Sequence, residues 1–346
     1  MILGVALSTT LDNDTPDVLH WGYSSIIREG KVADKEFKTY NEQRKILTDR
    51  GLLIAHPIRF VHIMQNDDYY NIINGYKKYF IASMNPEKYF KGTTFEQVYA
   101  LYLFDQELRS LFMECLLRIE KKLKSLIAYH FSEAHGYDHR VYLDTKHFNN
   151  TSLKNQKHAS KMISKVSNDI SYFSSKGNNA ISHYMSKYSY IPLWVLNTVL
   201  SFGRVAHFYS CMQLFDQQKV SQHFNISASE LSGFMYFLDD LRNVCAHGGR
   251  IYTPNNVASY LKFIPDVSHH KALNIPRNPS GNYIYGKSDT MAALIAFKIF
   301  LKKSDFTKTK KTFLLKETAL SRQLPESIML NIEKEMGFPQ KYLPNL

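Results

Sequence analysis

Apolar residues recur at every third or fourth position along much of the chain, the spacing that places side chains on one face of an α-helix. The longest run follows Thr93, whose hydroxyl can form a capping box with Glu96, and it extends to about residue 131. The pattern predicts a long central helix with a break or bend within it. Its apolar stripe consists of Leu108, Phe112, Cys115, Ile119, Leu123 and Ile127.

A second capping box, Ser227 with Glu230, begins a helix whose apolar residues recur as far as Cys245. Gly248 and Gly249 end it, because glycine adopts the left-handed conformation after a helix without steric penalty. The same periodicity predicts helices over residues 36–53, 60–82, 154–174, 179–188, 192–214, 290–303 and 325–336. We find no segment with the alternation of a half-buried strand, so the predicted fold class is all-α.

These patterns divide the chain into three parts. Residues 1–35 lack periodicity and are interpreted as an N-terminal arm. Residues 36–304 form a helical domain whose active-site helix spans about 228–247, and the Pro, Asn and Gly residues between 252 and 286 predict an extended loop. Residues 305–346 are interpreted as a basic C-terminal tail with a short helix.

Charge adds a binding preference to this picture. Lys and Arg number 43 against 31 Asp and Glu, a net charge of +12 that attracts polyanions such as nucleic acids. No apolar run has the length of a membrane span, so no membrane association is expected. The three cysteines are too few and too widely spaced for a disulfide framework or a zinc motif. We therefore expect a cytoplasmic protein without a metal or cofactor.

The end of the helix at 228–247 carries the most reactive group of side chains. Asn243 and His247 are four residues apart and share a face, and the long side chain of Arg242 can reach the same cleft. An imidazole can transfer protons and a guanidinium can bind phosphate, which suffices for RNA cleavage without a metal. Cations in a last helical turn are also favoured by the helix dipole alone, and the spacing does not distinguish these interpretations.

Several basic side chains are candidates for RNA binding, although solvated helix faces have the same pattern. These candidates are Arg118, Lys121 and Lys122 on the central helix, and Lys154, Lys157, Lys161 and Lys165 at helical spacing. Glu120 can either orient a site residue or form a surface ion pair. Arg140 and His147, with six residues between them, form another Arg–His pair in a loop-like stretch, which we interpret as chance. Asp266, His269 and His270 lack a third nitrogen or thiol ligand, so no metal site is predicted there.

The order of several short segments resembles the Abi_2 family, the AbiD/AbiF-type abortive-infection proteins of bacteria, which belong to the HEPN superfamily. The resembling segments are residues 43–52, 68–76, 92–95, 103–109, 192–195, 201–203, 245–252 and 337–339. The superfamily's ribonuclease signature is an Arg that is followed directly by a polar residue, and a His that is separated from the Arg by four to six residues. Arg242, Asn243 and His247 match it. Family members often have a second His where this chain has Gly248.

The resemblance implies an HEPN-like helical bundle with additional N- and C-terminal helices. It implies a metal-independent endoribonuclease that leaves 2′,3′-cyclic phosphate ends, with Arg242 and His247 as catalytic residues and Asn243 and Arg250 in support. It further implies a toxin of an anti-phage abortive-infection system, restrained by a small non-coding RNA or another antitoxin. Because each chain has one motif, a homodimer is expected to complete the site. The alternatives are a non-catalytic RNA-binding module and a helical interaction protein.

Overall fold

The predicted central helix is one continuous element, α3 (Phe95–His135), in the computed structural model of the chain. The structure describes residues 36–177, 179–252 and 261–338. The arm predicted at residues 1–35 therefore lies outside the described residues. At 41 residues, α3 is about 60 Å long. The predicted apolar stripe is buried along its length, and no break interrupts it.

Helix α3 begins one residue later than predicted. The capping box forms between Thr94 and Gln97. The amide of Thr94 donates to the Oε1 of Gln97 at 3.0 Å, and the amide of Gln97 donates to the Oγ1 of Thr94 at 3.3 Å. Thr93 is unavailable as the cap because its carbonyl accepts a hydrogen bond from the amide of Leu53, at 2.9 Å. The prediction of Thr93 and Glu96 as the capping pair is thus wrong by one position, since a contact across forty residues of chain sets the helix start.

An N-terminal layer precedes α3. It contains α1 (Tyr40–Asp49), α2 (Pro57–Asn66), a π-helical turn (Tyr70–Asn74), a 3₁₀ turn (Lys77–Phe80) and the antiparallel hairpin of β1 (Ile81–Met84) and β2 (Glu87–Tyr89). The sequence predicts a single helix over 60–82, and the structure interrupts it at Asp67. The backbone of Asp67 is not helical, and its carboxylate accepts hydrogen bonds from the hydroxyls of Tyr99 and Tyr102, both at 3.0 Å.

Shorter helices follow α3. They are α4 (His139–Tyr142), a 3₁₀ turn (Thr145–His147), α5 (Leu153–Ser175), α6 (Asn179–Tyr188), α7 (Leu193–Leu196), α8 (Phe202–Cys211), α9 (Leu214–Gln222), α10 (Ala228–Ala246), α11 (Ser268–Ala272), α12 (Thr290–Phe300), α13 (Lys303–Ser321) and α14 (Glu326–Glu335). The prediction of an all-α fold class is confirmed. The small hairpin is an addition to it.

The helix predicted over 192–214 is divided into α7 and α8. Asn197 ends α7 and donates a hydrogen bond to the carbonyl of Lys124 on α3, at 2.9 Å. Ser201 then caps α8 by accepting a hydrogen bond from the amide of Arg204, at 3.2 Å. The two helices are therefore separated by a contact of Asn197 with α3 and by the Ser201 cap, which takes a backbone amide at the start of α8.

The Lys-rich segment after residue 302, which was predicted to be part of a basic tail, forms a helix. Helix α13 packs against α3: the Sγ of Cys115 lies 3.3 Å from the Oγ1 of Thr309, and the rings of Phe112 and Phe313 stack 6.5 Å apart. Buried residues recur along α13 at helical spacing, whereas Lys303, Lys308 and Lys311 are exposed. The apolar face was concealed in the sequence by the many lysines between its members.

Helix α10 lies in the centre of the packing. It contacts α3, α8, α9 and α12. The rings of Phe234 on α10 and Phe300 on α12 meet edge to face at 5.3 Å, and Leu231, Leu238 and Leu241 are almost completely buried. The body of α10 is therefore held rigidly, and this fixes the position of its C-terminal end.

Candidate active site

Local sequence determines where α10 begins and ends. Ser227 accepts a hydrogen bond from the amide of Glu230 at 3.2 Å, and Glu230 accepts one from the amide of Ser227 at 2.6 Å, which confirms this capping box. At the other end, Gly248 has a φ of +72°, and the amide of Gly249 donates to the carbonyl of Val244 at 2.9 Å. The predicted glycine stop is thus confirmed, and it leaves His247 as the last capping residue of α10.

The end of α10 separates a buried face from a solvent face. Leu241, Val244 and Cys245 are buried, and Asn243 and His247 are exposed. The two exposed side chains project from the final turn, as the four-residue spacing predicts. An amide and an imidazole are therefore accessible together at the surface.

Arg242 has a different environment from its two exposed neighbours. It is half-buried, and within the described residues its Nε is buried without a hydrogen-bond partner. The carboxylate of Asp239, one helical turn earlier, interacts electrostatically with it. Burial and the adjacent Asp240 raise the pKa of Asp239 to about 6, while Arg242 acts in the opposite direction. Arg242 is thus held beside a carboxylate that is itself partly desolvated.

Asp239 in turn lies against the start of α8. A Cβ atom at Gly203 would lie 2.5 Å from the Oδ2 of Asp239, closer than real Cβ contacts, so the carboxylate would have to shift to admit a side chain here. Position 203 is in the first turn of α8, where unpaired backbone amides favour a negative charge. The close approach of the two helices therefore supports the carboxylate that faces Arg242.

A cleft between α3 and α7 adjoins this acidic group. Glu120 is one of its lining residues and is an electrostatic neighbour of Asp239. Its carboxylate pairs with Lys124 at 2.7 Å, and Lys124 also donates to the carbonyl of Leu200 at 2.6 Å. Both side chains are largely buried, so Glu120 and Lys124 form a buried ion pair that lines the cleft and not a surface one. The cleft is lined by Leu117, Glu120, Lys121, Lys124, Ser125, Trp194, Asn197 and Thr198.

A buried network holds the segment that follows the motif. Asp105 on α3 is fully buried and accepts hydrogen bonds from the amides of Ile251 and Tyr252, at 2.8 and 3.0 Å. It also accepts one from the hydroxyl of Tyr76 at 2.7 Å and forms an ion pair with Arg109. These contacts clamp the chain four residues after His247. Charge patterns did not point to Asp105 or Arg109, although both lie in a segment that carries the family resemblance.

Arg250 belongs to the same anchoring region. Its guanidinium donates to the carbonyl of Gly75 at 2.5 Å, and it interacts with Tyr79 and Tyr252. The family resemblance implies a supporting role at the site for Arg250. The structure places this side chain against the N-terminal layer, where it joins the segment after the motif to the π-helical turn.

The three basic candidates on α3 have different surroundings. Arg118 forms ion pairs with Glu114 at 2.8 Å and with Asp305 at 3.3 Å. Lys122 donates to the carbonyl of Phe300 at 3.2 Å, and burial and the charge of Lys302 lower its pKa. Lys121 is exposed and lines the cleft. Of these three, Lys121 has the position best suited to a phosphate.

The lysine series on α5 lies on the face opposite its buried residues. Lys154, Lys157 and Lys161 are exposed and Lys165 is half-buried, whereas Ala159, Met162 and Val166 face the core. Helix α5 packs against α8, which packs against α10. The series therefore forms a basic surface on a separate helix and does not extend from the end of α10.

The structure can also be compared with the interpretations of two other histidines, His147 as part of a chance Arg–His pair and His270 as a residue outside any metal site. Arg140 is paired with Asp138. His147 lies beside His135, with 3.3 Å between their Nδ1 atoms. Arg140 and His147 therefore have different partners. His270 is buried and its Nε2 lies 2.7 Å from the carbonyl oxygen of Gly286. That nitrogen is engaged with the backbone and is not directed at an open site.

Comparison with known proteins identifies the family. The sequence profile of Abi_2, Abi-like protein, matches residues 62–253, from within α2 to just beyond the end of α10. No curated protein and no solved structure gave a significant match. Among the described helices, none is both long and apolar enough to cross a membrane. Because the match covers more than half of the chain and includes the motif at the end of α10, the chain belongs to the family of Abi-like proteins, which is associated with abortive infection.

Proposed function

We propose that this Abi-like protein is a metal-independent endoribonuclease of the HEPN type and acts as the toxin of an anti-phage abortive-infection system. Arg242 and His247 are its catalytic residues, and Asn243 supports them. One observation carries the proposal. At the end of α10, an imidazole and an amide reach solvent next to a half-buried guanidinium, whose Nε lacks a hydrogen-bond partner within the described residues.

RNA cleavage at such a site needs no co-reactant. A base removes the proton of a 2′-hydroxyl, and that oxygen attacks the adjacent phosphorus as the bond to the 5′-oxygen breaks. An acid protonates the leaving oxygen, so the products are a 2′,3′-cyclic phosphate and a 5′-hydroxyl. Imidazole performs either transfer near neutral pH, and guanidinium binds phosphate oxygens while it stays charged. His247 and Arg242 suit these two roles.

A homodimer completes the site in this proposal. One motif supplies one imidazole and one guanidinium, whereas the reaction uses both a base and an acid. A two-fold contact between copies would bring two exposed ends of α10 face to face, since each surface then meets its own equivalent. The exposure of Asn243 and His247 supports this arrangement.

RNA is both substrate and regulator in the proposed system. The net charge of +12 and the exposed lysines of α5 favour polyanions. A small non-coding RNA that occupies this basic surface would restrain the toxin until infection removes it. The basic surface on α5 is on a different helix from the motif, which allows regulator and substrate to have separate contacts.

The proposal is tested by cleavage of defined RNA with three variants. His247→Ala and Arg242→Ala should each slow cleavage by about 10²- to 10⁴-fold, as expected for a lost proton transfer or a lost charge contact. His62→Ala is the matched control, because His62 is exposed on α2, remote from the motif in sequence. It should cleave like the wild type. Products should carry cyclic phosphates, and activity should persist in EDTA.

Two results would contradict the proposal in different ways. Activity that disappears in EDTA and returns with Mg²⁺ would exclude metal-independent chemistry. RNA binding by the wild type without any cleavage would favour the alternative, a non-catalytic RNA-binding module. Thermal unfolding of His247→Ala should stay close to that of the wild type, because the charge of an exposed residue at a helix end contributes about 0.3–1 kcal/mol.

A further inference from the structure

Helices α5 and α8 bring together three side chains that commonly bind metals. His158 projects from α5, and His207 and Cys211 lie one turn apart on α8. One potential ligand atom from each lies within 4.8 Å of the others. The rings of His158 and His207 have centroids 4.4 Å apart and planes inclined by 39°. The cluster was not predicted, because its two histidines are 49 residues apart in the chain.

His207 contributes a buried ring nitrogen without a partner. Within the described residues, the Nε2 of His207 is buried without a hydrogen-bond partner. An orphaned nitrogen in the interior costs free energy that a bound cation would offset.

The other two side chains differ in their exposure. Cys211 is only 3% exposed. A metal that binds it would displace the thiol proton, as it does in other thiolate sites. His158 is exposed, so an ion can approach from its side of the cluster. Nearby, the positive charge of Arg204 is balanced by Asp169, at 2.6 Å.

We propose that His158, His207 and Cys211 form a binding site for a transition-metal ion of the Zn²⁺ class, with a fourth position open to solvent. Two imidazoles and one thiolate are a donor set that Zn²⁺ prefers. Ligand atoms around a tetrahedral Zn²⁺ are about 3.5 Å apart, so the three atoms need to close by roughly 1 Å, which side-chain rotations supply. The ion would cross-link α5 to α8.

This site is separate from the ribonuclease motif and does not depend on the proposed function. Its ligands lie on α5 and α8, whereas Arg242 and His247 lie at the end of α10. The expected effect of the metal is on the stability of the α5–α8 packing, because an ion bound only by the folded state raises the unfolding temperature. EDTA can then lower stability without removing a catalytic group.

Cobalt binding by the full-length, tag-free protein tests the proposal. After removal of metals with a chelator, one equivalent of Co²⁺ should produce a thiolate-to-cobalt charge-transfer absorption in the near ultraviolet and visible bands of tetrahedral intensity. Added Zn²⁺ should abolish both. His158→Ala should weaken Co²⁺ binding at least tenfold, and Cys211→Ser should remove the charge-transfer absorption.

Matched controls distinguish this site from other histidines and thiols. His62→Ala and Cys115→Ser remove an exposed His and a buried thiol elsewhere, and both variants should bind Co²⁺ like the wild type. The proposal is overturned if the wild type shows no stoichiometric band or if His158→Ala binds with unchanged affinity. His158 is exposed, so its variant tests the site even if Cys211→Ser fails to fold.

Discussion

The acidic neighbours of Arg242 explain how a guanidinium can be half-buried at the edge of α10. Asp239 faces it from the preceding turn, and Glu120 from α3 lies close to Asp239. A desolvated carboxylate interacts more strongly with a cation than an exposed one does, because less water screens the pair. Asp239 therefore provides a favourable electrostatic environment for Arg242, while Gly203 leaves the space that Asp239 occupies.

Gly203→Ala should destabilise the protein and slow RNA cleavage. The new methyl group would overlap the carboxylate of Asp239, and overpacking of this kind costs about 1–3 kcal/mol. A displaced Asp239 would also change the electrostatic environment of Arg242. Urea unfolding and cleavage assays measure the two effects. Gly75→Ala is the control, because a Cβ there meets no atom within 4 Å and Gly75 has a helical φ. Equal behaviour of the two variants would contradict the predicted overlap.

The raised pKa of Asp239 predicts a pH dependence of stability. The pKa of Asp239 in the folded state, about 6, lies above the usual value for an aspartate, so the carboxyl group holds a proton more tightly in the folded protein than in the unfolded chain. The free energy of unfolding should therefore fall as pH rises from about 4 to about 6. Asp239 is partly solvated, so its share should be at most about 2 kcal/mol.

Asp239→Asn should flatten part of this dependence. Asp289 is fully buried, and burial also raises its pKa to about 6, so some slope should remain in the variant. Chemical unfolding at a series of pH values, for wild type and variant, gives the difference that belongs to Asp239. Identical slopes for the two proteins would show that Asp239 does not titrate in this range.

Helix α10 presents the motif because its two ends have different roles. Its body is buried between α3, α8, α9 and α12, whereas its last turn reaches solvent. The network of Asp105 and Arg109 then holds the chain that leaves this turn, and Arg109 also contacts the carbonyl of Gly249 at 3.3 Å. A site at the end of a packed helix with a clamped exit is more rigid than a site on a free loop.

A mixture of His247→Ala and Arg242→Ala chains should recover part of the cleavage activity. In a mixed dimer, the shared cleft contains one intact Arg242 and one intact His247 from different chains. Only one of the two proton transfers is then assisted by an imidazole, so recovery should be partial. Each variant alone should remain inactive. Activity is measured after the two proteins are co-refolded. His247→Ala refolded alone by the same procedure is the control. No recovery from a verified mixed dimer, or full activity of a monomeric wild type, would contradict a shared site.

The charge of the whole protein is distributed unevenly over its surface. Some basic residues are neutralised by ion pairs, such as Arg118 with Glu114 and Asp305, while three lysines of α5 remain exposed on one face. Only charges that are accessible to phosphates displace condensed cations from RNA. The net charge of +12 therefore overestimates the number of charges that can contact RNA, and the exposed lysines of α5 indicate the binding surface better.

RNA affinity should fall steeply with salt, and the lysines of α5 should account for part of the slope. Replacing Lys154, Lys157 and Lys161 by Ala should reduce the logarithmic salt slope by about 2 for single-stranded RNA, at roughly 0.7 per phosphate contact. Fluorescence anisotropy at several salt concentrations measures it. Arg118→Ala is the control, since this side chain is already paired. An unchanged slope in the triple variant would exclude α5 from the RNA contact.

Features that depend on neighbouring residues could be predicted from the sequence. The capping box at Ser227, the glycine stop at Gly248 and the exposure of Asn243 and His247 arise from hydrogen bonds and spacings within about four residues. The helices α5 and α6 have nearly the predicted bounds for the same reason. The all-α class follows because most of the chain repeats this local periodicity.

Features that depend on distant residues required the tertiary structure. Leu53 moved the start of α3 from Thr93 to Thr94, and Tyr99 and Tyr102 stabilise the break at Asp67. The environment of Arg242, the clamp at Asp105 and the cluster of His158, His207 and Cys211 each join elements that are far apart in the chain. Their members share no period or motif, because packing between helices, and not hydrogen bonding along one helix, brings them together.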